Sequence, residues 1–433
     1  MSSQTMKQII SLMAAASIFL TPAAFAAVSD EDFAQLREQL AAVSARLDQL
    51  ESENTQLRAA QEQADTAINQ VQTTVAVIPA TSDSWADRIK IDGDFRYRYE
   101  DIDKQGSDSR SRTRIRARTN IKAQVAENTQ AGFGLATGGN DPVSTNQTLG
   151  SGGSSKGVIL NLAYVDWEAT EGLHLIAGKF KNPLKRPGSQ ALTWDGDWTP
   201  EGLAAKYQRD WFFANALGTY LEGDSKKSNR NFSWGGQLGA SGAIGDIKLT
   251  GGLGYYSIPT KGRSTTFGDP TDPGDFFGNT AVEAGGLACG TTPDTVCVYL
   301  YDYKLMQVFG EASFDIGEFP ALVFFDYVNN SDPSENDTGW IVGTRIGQAK
   351  ERGEMQFTYF YADKEADSLL GLLTDSDFGG GGTDNKGHWL QFNYGVSSSW
   401  AIGAQYFINE IDIASGSKSD YNRLMIDMQW KWK

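Results

Sequence analysis

The feature that most restricts the fold of this chain is a regular alternation of arginines in residues 110–125. Single residues separate Arg110, Arg112, Arg114, Arg116 and Arg118, and Asn, Lys and Gln continue the series. From residue 113 onward, the intervening positions hold Thr, Ile, Ala and Val. This alternation predicts an extended strand, because a helix would spread the arginines around its axis. The polar face needs water or anionic partners, whereas the apolar face suits lipid or a protein core.

Two kinds of protein fit such a strand: a soluble sheet with a basic edge, or a transmembrane β-barrel with a wet interior. The rest of the chain favours the barrel, because tight turns alternate with long polar loops. The tight turns lie near residues 127–130, 170–172, 208–210, 243–246, 316–320, 348–353 and 397–399. We therefore predict an all-β fold, a transmembrane antiparallel β-barrel of about 16 strands. Short turns would face the periplasm and long loops the exterior.

The last segment, residues 421–432, illustrates how the strands are expected to face. Its apolar positions are Leu424, Ile426, Met428, Trp430 and Trp432, and they oppose Arg423, Asp427, Gln429 and Lys431. A charge on the lipid face would cost about 2–4 kcal/mol at mid-membrane. Polar faces are therefore predicted to point into the barrel. Residues 158–169 show no clear alternation.

The N-terminus predicts export. Residues 1–26 contain Lys7, a short apolar run and the small-residue sequence ending at Ala26, as in a signal peptide. Because an exported chain meets oxidising conditions, Cys289 and Cys297 are predicted to form a disulfide. The formal net charge of −16 argues against nucleic acid as a partner.

Residues 27–78 have a different pattern, with apolar residues that step alternately by three and four. These seam positions include Leu36, Leu40, Val43, Leu47, Leu50 and Leu57. Sustained heptads predict a coiled-coil helix, here placed in the periplasm. The alternative is a single amphipathic helix packed on its own barrel. Residues 79–88 are then a linker, and residues 89–433 are the barrel.

Two short motifs resemble a known family. They are Ile-Lys-Ile-Asp-Gly-Asp-Phe-Arg-Tyr-Arg-Tyr at 89–99 and Ala-Gly-Lys-Phe-Lys-Asn-Pro at 177–183. With the signal peptide and the coiled coil, they resemble the Putative porin family of Gram-negative bacteria, which is similar to phosphate-selective porins and more distantly to general diffusion porins. The resemblance implies a homotrimer among outer-membrane lipid and lipopolysaccharide, and a third external loop that folds inward. The chain departs from such barrels at its end, where Lys433 follows Trp432.

The predicted functional site, the wall and constriction of a pore, consists of two sets of residues. The pore-lining basic residues are Arg96, Arg98, Arg112, Arg114, Arg116 and Arg118. The constriction loop, residues 182–201, is expected to act through Lys181, Lys185, Arg186, Asp195, Asp197 and Glu201, with the acids facing the arginines. In the alternative, Trp194 and Trp198 dock this loop on the rim and its acids face solvent.

These patterns predict passive diffusion of ions and small hydrophilic solutes. Two alternatives remain: a channel that prefers anions or phosphate, and a structural tether whose coiled coil binds peptidoglycan or another periplasmic partner. Catalytic residues, cofactors and metal ligands are not predicted, because the chain has two histidines and no hydrolase motif. Two sets of loop acids could bind calcium: Asp269, Asp272 and Asp275, and separately Asp375, Asp377 and Asp384. Neither set has the spacing of an EF-hand, so solvated loops are the favoured interpretation.

Overall fold

A computed structural model describes residues 30–77, 85–223, 226 and 228–433. The chain divides into two units, Met1–Ser82 and Asp83–Lys433. The predicted signal peptide and most of the predicted linker lie outside the described residues. The linker's last four residues form a 3₁₀ helix, Trp85–Arg88.

The described residues of the first unit form the helix α1 (Asp30–Val77), of 48 residues. Its seam side chains Val43, Leu47, Leu50 and Leu57 are exposed. Among the described residues, no helix is both long and apolar enough to cross a membrane. The helix agrees with the predicted segment, while its pairing with other helices remains a prediction.

The second unit is a closed antiparallel barrel of sixteen strands, as predicted. The barrel strands are β1 (Ile89–Lys104), β2 (Arg110–Ala126), β3 (Thr129–Thr137), β5 (Val158–Thr170), β6 (Leu173–Lys179), β7 (Glu201–Arg209), β8 (Phe212–Glu222), β9 (Asn231–Ile244), β10 (Ile247–Ile258), β13 (Tyr303–Ile316), β14 (Phe319–Asn330), β15 (Thr338–Gly347), β16 (Met355–Lys364), β17 (Asn385–Ser397), β18 (Trp400–Ile411) and β19 (Ser419–Trp432). Short strands in the long connections are β4 (Gln147–Thr148), β11 (Ala281–Glu283) and β12 (Cys297–Tyr299).

Pairing of the first and last strands closes the barrel and leaves no sheet edge. Gly93 of β1 is opposite Trp432 of β19, and Lys104 is opposite Tyr421. The predicted tight turns lie at one end of the barrel, together with the beginning of β1 and the end of β19. The long connections lie at the other end and are named in chain order: L1 (105–109), L2 (138–157), L3 (180–200), L4 (223–230), L5 (259–302), L6 (331–337), L7 (365–384) and L8 (412–418).

Strand alternation sorts the side chains as predicted. On β19, Arg423 and Asp427 are buried inside, while Ile426 and Met428 are exposed outside. The outer face of the barrel also exposes Leu203 and other large apolar side chains. Charged side chains are unfavourable in the hydrocarbon of a bilayer. A barrel with an apolar outer face and a polar inner face therefore suits a membrane.

The unclear alternation of residues 158–169 has a structural cause. Opposite β3, Gly134 pairs with Leu162 but Leu135 pairs with Leu160, so β5 carries one extra residue. The register shifts again between Glu168 and Thr170. Such bulges interrupt the two-residue period.

The core of this unit lies inside the barrel, because several long loops fold into it. Buried members from L3, L5 and L7 include Leu192, Trp194, Phe276, Leu369, Leu373 and Phe378. They pack on inner-wall residues such as Phe324, Phe360 and Trp389. The loops thus pack against the part of the wall formed by β6–β8, β10 and β13–β19.

The two cysteines are joined within L5, where the Cys289 and Cys297 sulfurs form a disulfide. Cys297 also begins β12, which pairs with β11. A cross-link over 8 residues contributes about 2.5 kcal/mol on the chain-entropy model. The bond therefore stiffens the tip of the longest loop.

Candidate functional site

The arginine ladder of β2, from Arg112 to Arg118 in steps of two, lies on the inner face of the barrel. Register places Arg114 opposite Arg98 and Arg116 opposite Arg96 on β1. The two strands therefore bring the predicted basic residues onto one inner wall. Inside a barrel, such a cluster requires acidic neighbours or water.

Glu100 of β1, which was not among the predicted site residues, supplies one of these acidic neighbours. Its side chain is fully buried and lies 2.5 Å from Arg112 and 3.0 Å from Arg423. Arg114 is more distant, at 3.7 Å. The signal was present in the sequence, since Glu100 continues the inward series of Arg96 and Arg98.

Asp94 and Asp197 contact Arg116 and Arg118, the two ladder arginines nearest the short turns, from two sides. Asp94 of β1 lies 3.1 Å from Arg116 and 2.8 Å from Arg118. Asp197 of L3 reaches the same arginines, at 3.4 and 2.7 Å. Burial alone would raise the pKa of Asp197, but Arg116 and Arg118 lower it overall. This contact places an acidic residue of L3 against the basic wall.

L3 reaches the ladder because it crosses the lumen. Its Gly188 accepts a hydrogen bond from Arg345 of β15 and donates one to Glu311 of β13, at 3.1 Å. A Cβ at Gly188 would lie 2.4 Å from the Phe324 ring, and φ is +60° there. Only glycine therefore fits this close approach to the far wall.

Aromatic packing also holds L3 inside the lumen. Trp194 and Trp198 stack with ring centroids 4.8 Å apart, and Trp194 meets the edge of Tyr256 at 5.0 Å. Tyr256 lies on the inner face of β10 and is buried. The two tryptophans do dock L3, as the alternative proposed, but they dock it inside the barrel instead of on the rim.

L7 supplies a second acidic contact, Asp377, for which the sequence offered no signal beyond membership of an acidic loop. Its carboxylate lies 3.0 Å from Arg98 and 2.9 Å from Arg423. Burial alone would raise the pKa of Asp377, but Arg423, Arg98 and Arg96 lower it strongly. Asp427 of β19 completes the cluster at 2.6 Å from Arg98.

Asp195 occupies a different place from the one predicted. Its backbone N–H donates to Leu373 at 2.8 Å, and its carboxylate accepts from the Ser376 N–H at 3.2 Å. It therefore joins L3 to L7 instead of facing the ladder. Burial, with added repulsion from the Asp375 and Asp197 carboxylates, raises the pKa of Asp195.

Glu201 does not face the ladder either, so this prediction was wrong. It begins β7 and pairs with Lys179 at 2.8 Å, with 64% of its side chain exposed. Strand alternation gives it the same outward face as Leu203. Of the basic loop residues, Lys181 and Arg186 border the lumen, while the Lys185 ammonium lies 4.6 Å above the Phe213 ring on the inner wall.

Two cavities border the ladder, one on each side of the loops. The outer cavity, toward the long loops, has a volume of about 670 Å³ and includes Arg110, Arg112, Arg114 and Arg423. The inner cavity, toward the short turns, has about 1100 Å³ and includes Arg116, Arg118, Lys122, Asp195 and Asp197. The cavities thus approach each other between Arg114 and Arg116. Arg96 and Arg98 line neither cavity because they are buried at this level.

The acidic loop sets form no metal centre in this arrangement. Within the described ranges, no cluster of three or more His, Cys, Asp or Glu side chains is placed to hold a metal ion. Asp377 instead binds arginines, and Asp272 accepts a hydrogen bond from the Gly274 N–H.

A family model described as "Putative porin" matches residues 103–264 and 301–432. The chain belongs to this porin family. The unmatched residues between these ranges lie in L5, with its disulfide. The protein is therefore an outer-membrane porin of the Gram-negative type, a channel for diffusion.

The chain is similar to solved porins. Pseudomonas putida OprB, in a high-pH structure, shares 12% identity at a TM-score of 0.53, over 80% of this chain and 95% of that one. Salmonella typhi OmpF, in complex with daunomycin, shares 11% identity at a TM-score of 0.48, over 81% and 99%. At such identities the likeness concerns the fold alone. No curated protein sequence is significantly similar to this chain.

Proposed function

We propose that ions and small hydrophilic solutes cross this porin along the arginine ladder. Their path would lead from the outer cavity past Arg114 and Arg116 to the inner cavity. The observation that carries this proposal is the position of both cavities against β2, while packed loops fill the opposite side of the lumen. L3 and L7 together would set the narrowest cross-section.

The wall of this path suits polar solutes. Arg118 of β2 faces Asp197 of L3, and Arg98 of β1 faces Asp377 of L7. This opposition of a basic wall and acidic loops creates a transverse field. An apolar solute would have to displace water that this field orders, whereas ions and sugars replace those contacts. The alternative function, a structural tether with a plugged barrel, has less support. Cavities reach the arginine ladder from both ends of the barrel.

Conductance of the purified protein in a planar lipid bilayer tests this proposal. We expect discrete current steps in potassium chloride, and faster swelling of proteoliposomes in small than in large sugars. Heat-denatured protein from the same preparation is the control. Folded protein that inserts but passes no ions would contradict the proposed path and favour the tether.

We further propose an orientation. The short turns and α1 would face the periplasm, and L1–L8 the exterior, since long loops of such barrels are extracellular. Residues 1–26 would act as the export signal. Lipid and lipopolysaccharide would contact the apolar outer face, and peptidoglycan or a periplasmic protein remains a candidate partner for α1.

We also propose a homotrimer strengthened by α1. Leu47, Leu50 and Leu57 leave 56%, 46% and 70% of their surface exposed, and each leucine buried in a helix seam contributes about 1.5–3 kcal/mol. The three barrels would also associate through their outer walls. The helix seam would add buried surface to that contact.

Replacing Leu47, Leu50 and Leu57 with Asp should lower the temperature at which the oligomer dissociates in detergent, because the seam loses its buried surface. The matched control places Asp at the non-seam positions Ala42, Ala45 and Ala59. An unchanged dissociation temperature of the leucine variant, together with a monomeric 27–78 peptide, would assign α1 to another partner.

A further inference from the structure

Charged residues follow both sides of the exposed apolar seam of α1 in a regular order. The seam residues occupy positions a and d of successive heptads, with Leu47 at an a position. Positions g and e flank this seam. Position g holds Arg46 and then Glu53, position e holds Glu51 and then Arg58, and all four side chains are exposed. In coiled coils, charges at g and e decide which helices pair and in which orientation.

The opposite charges of this pattern do not meet within one helix. Arg46 donates to the Gln49 side chain at 2.8 Å, and Gln49 donates to Glu53 at 2.9 Å, so Arg46 contacts a neutral amide. Arg46 and Glu51 are five residues apart, as are Glu53 and Arg58. Side chains on one helix are neighbours at separations of three or four. Each of these pairs therefore needs a second helix.

A second copy of α1, parallel and in register, would bring each pair together. Between such helices, a g residue lies against the e residue of the following heptad in the neighbour. Arg46 would face Glu51 of the second copy, and Glu53 would face Arg58 of the second copy. Both contacts join opposite charges. The flanking residues of α1 are thus complementary to those of an identical helix.

A displacement of one heptad would replace these contacts with repulsive ones. On one side of the displaced pair, Arg46 would face Arg58 and Glu53 would face Asp65. On its other side, Glu53 would face Glu51. Like charges at facing positions oppose association. The order of charges therefore selects one alignment of two identical helices and disfavours the adjacent ones.

Asn54 favours the same alignment. It occupies an a position between Leu50 and Leu57. In register, the Asn54 amides of neighbouring copies meet and can satisfy one another, and polar residues at position a specify register in this way. Residues 78–88 connect α1 to β1 in every copy. Helices of neighbouring copies in one membrane would therefore run parallel.

We propose that the partner of α1 is the α1 helix of other copies of this chain, aligned parallel and in register by Arg46–Glu51 and Glu53–Arg58 contacts between copies. This inference rests on the proposed homotrimer and identifies what its seam recognises. A single exposed ion pair contributes little to affinity. The leucines would hold the helices together, while the charges exclude displaced and unrelated helices.

Oxidative cross-linking of the full-length protein tests the alignment. The native cysteines are already joined to each other. Leu57→Cys places a thiol at a d position, and a disulfide requires Cα atoms within about 7 Å. A displacement of one heptad would separate identical residues by about 10 Å along the axis. We expect covalent dimers from Leu57→Cys, whereas the matched control Ala45→Cys, at the outward f position, should remain unlinked.

Charge reversal tests the pairing. Arg46→Glu would face Glu51, and Glu51→Arg would face Arg46, so each variant should lower the dissociation temperature of the oligomer in detergent by on the order of a few degrees. The double reversal restores opposite charges between copies and should recover the wild-type temperature. This rescue cannot arise within one helix, because the two positions are five residues apart. Asp48→Arg, which changes the charge as Glu51→Arg does but at the outward b position, should leave the temperature unchanged.

Three results would overturn the alignment and assign α1 to peptidoglycan or another periplasmic protein. They are an intact oligomer without the Leu57→Cys cross-link, equal cross-linking of Ala45→Cys, and additive losses in the double reversal. A wild-type protein that is monomeric in detergent would instead overturn the proposed homotrimer. Single-channel conductance should stay at the wild-type value in every variant, because all substitutions lie outside the barrel, and this value confirms that the barrel is folded.

Discussion

Replacing Arg114 and Arg116 together with Glu is expected to convert the narrowest part of the lumen from an anion-favouring to a cation-favouring wall. The two changes reverse charge at the level where the cavities approach each other. Few waters and ions screen charges at such a level, so their effect on permeating ions is large. In a tenfold gradient of potassium chloride, the zero-current potential should move toward the cation limit of about 59 mV by on the order of tens of millivolts.

The control for this reversal changes Lys104 and Arg110 to Glu. It alters the net charge equally, but at the outer end of the lumen, where Lys104 is 41% exposed and paired with Asp412. Salt screens exposed charges, so the shift should be much smaller. Equal shifts in both variants, or wild-type selectivity at wild-type conductance after the double reversal, would remove Arg114 and Arg116 from the conducting path.

Changing Asp377 to Asn is expected to loosen L7 from the opposite wall. Asp377 is the loop carboxylate that contacts both Arg98 and Arg423, and each of those side chains is 2% exposed. Removing one partner of a buried ion pair costs about 3–5 kcal/mol. We expect about 3 kcal/mol, the lower end of this range, because the Asp377 side chain keeps 23% of its surface exposed. The unfolding temperature in detergent should fall, and open-channel current noise should increase.

Asp384→Asn in the same loop is the matched control. Asp384 accepts a hydrogen bond from the Ala414 N–H at 2.8 Å, and the described residues place no cation in an ion pair with it. Its amide variant retains a hydrogen-bond acceptor and should unfold close to the wild-type temperature. If both variants lose the same stability, the two arginine contacts do not account for the role of Asp377.

Local periodicity determined the barrel and the inner face of its strands. Charges on a lipid-facing side are so costly that Arg112, Arg114, Arg116 and Arg118 could only point inward once the strand was recognised. The tight turns and long loops alternate along the chain, so the strand number followed from counting them. The two-residue alternation gave no clear prediction for residues 158–169. Extra residues in β-bulges there move the following side chains to the other face of the strand.

Only the tertiary structure decided how the lumen is divided. The path of a loop depends on contacts between residues far apart in sequence, such as Gly188 with Glu311 or Asp377 with Arg98, and no local pattern encodes such pairs. For the same reason Asp195 joins L7 and Glu201 lies on the outer face, although both were expected to oppose the ladder. The sequence by itself therefore determined the wall and its basic residues. The inward loops added Asp197 and Asp377 to the carboxylates that neutralise them.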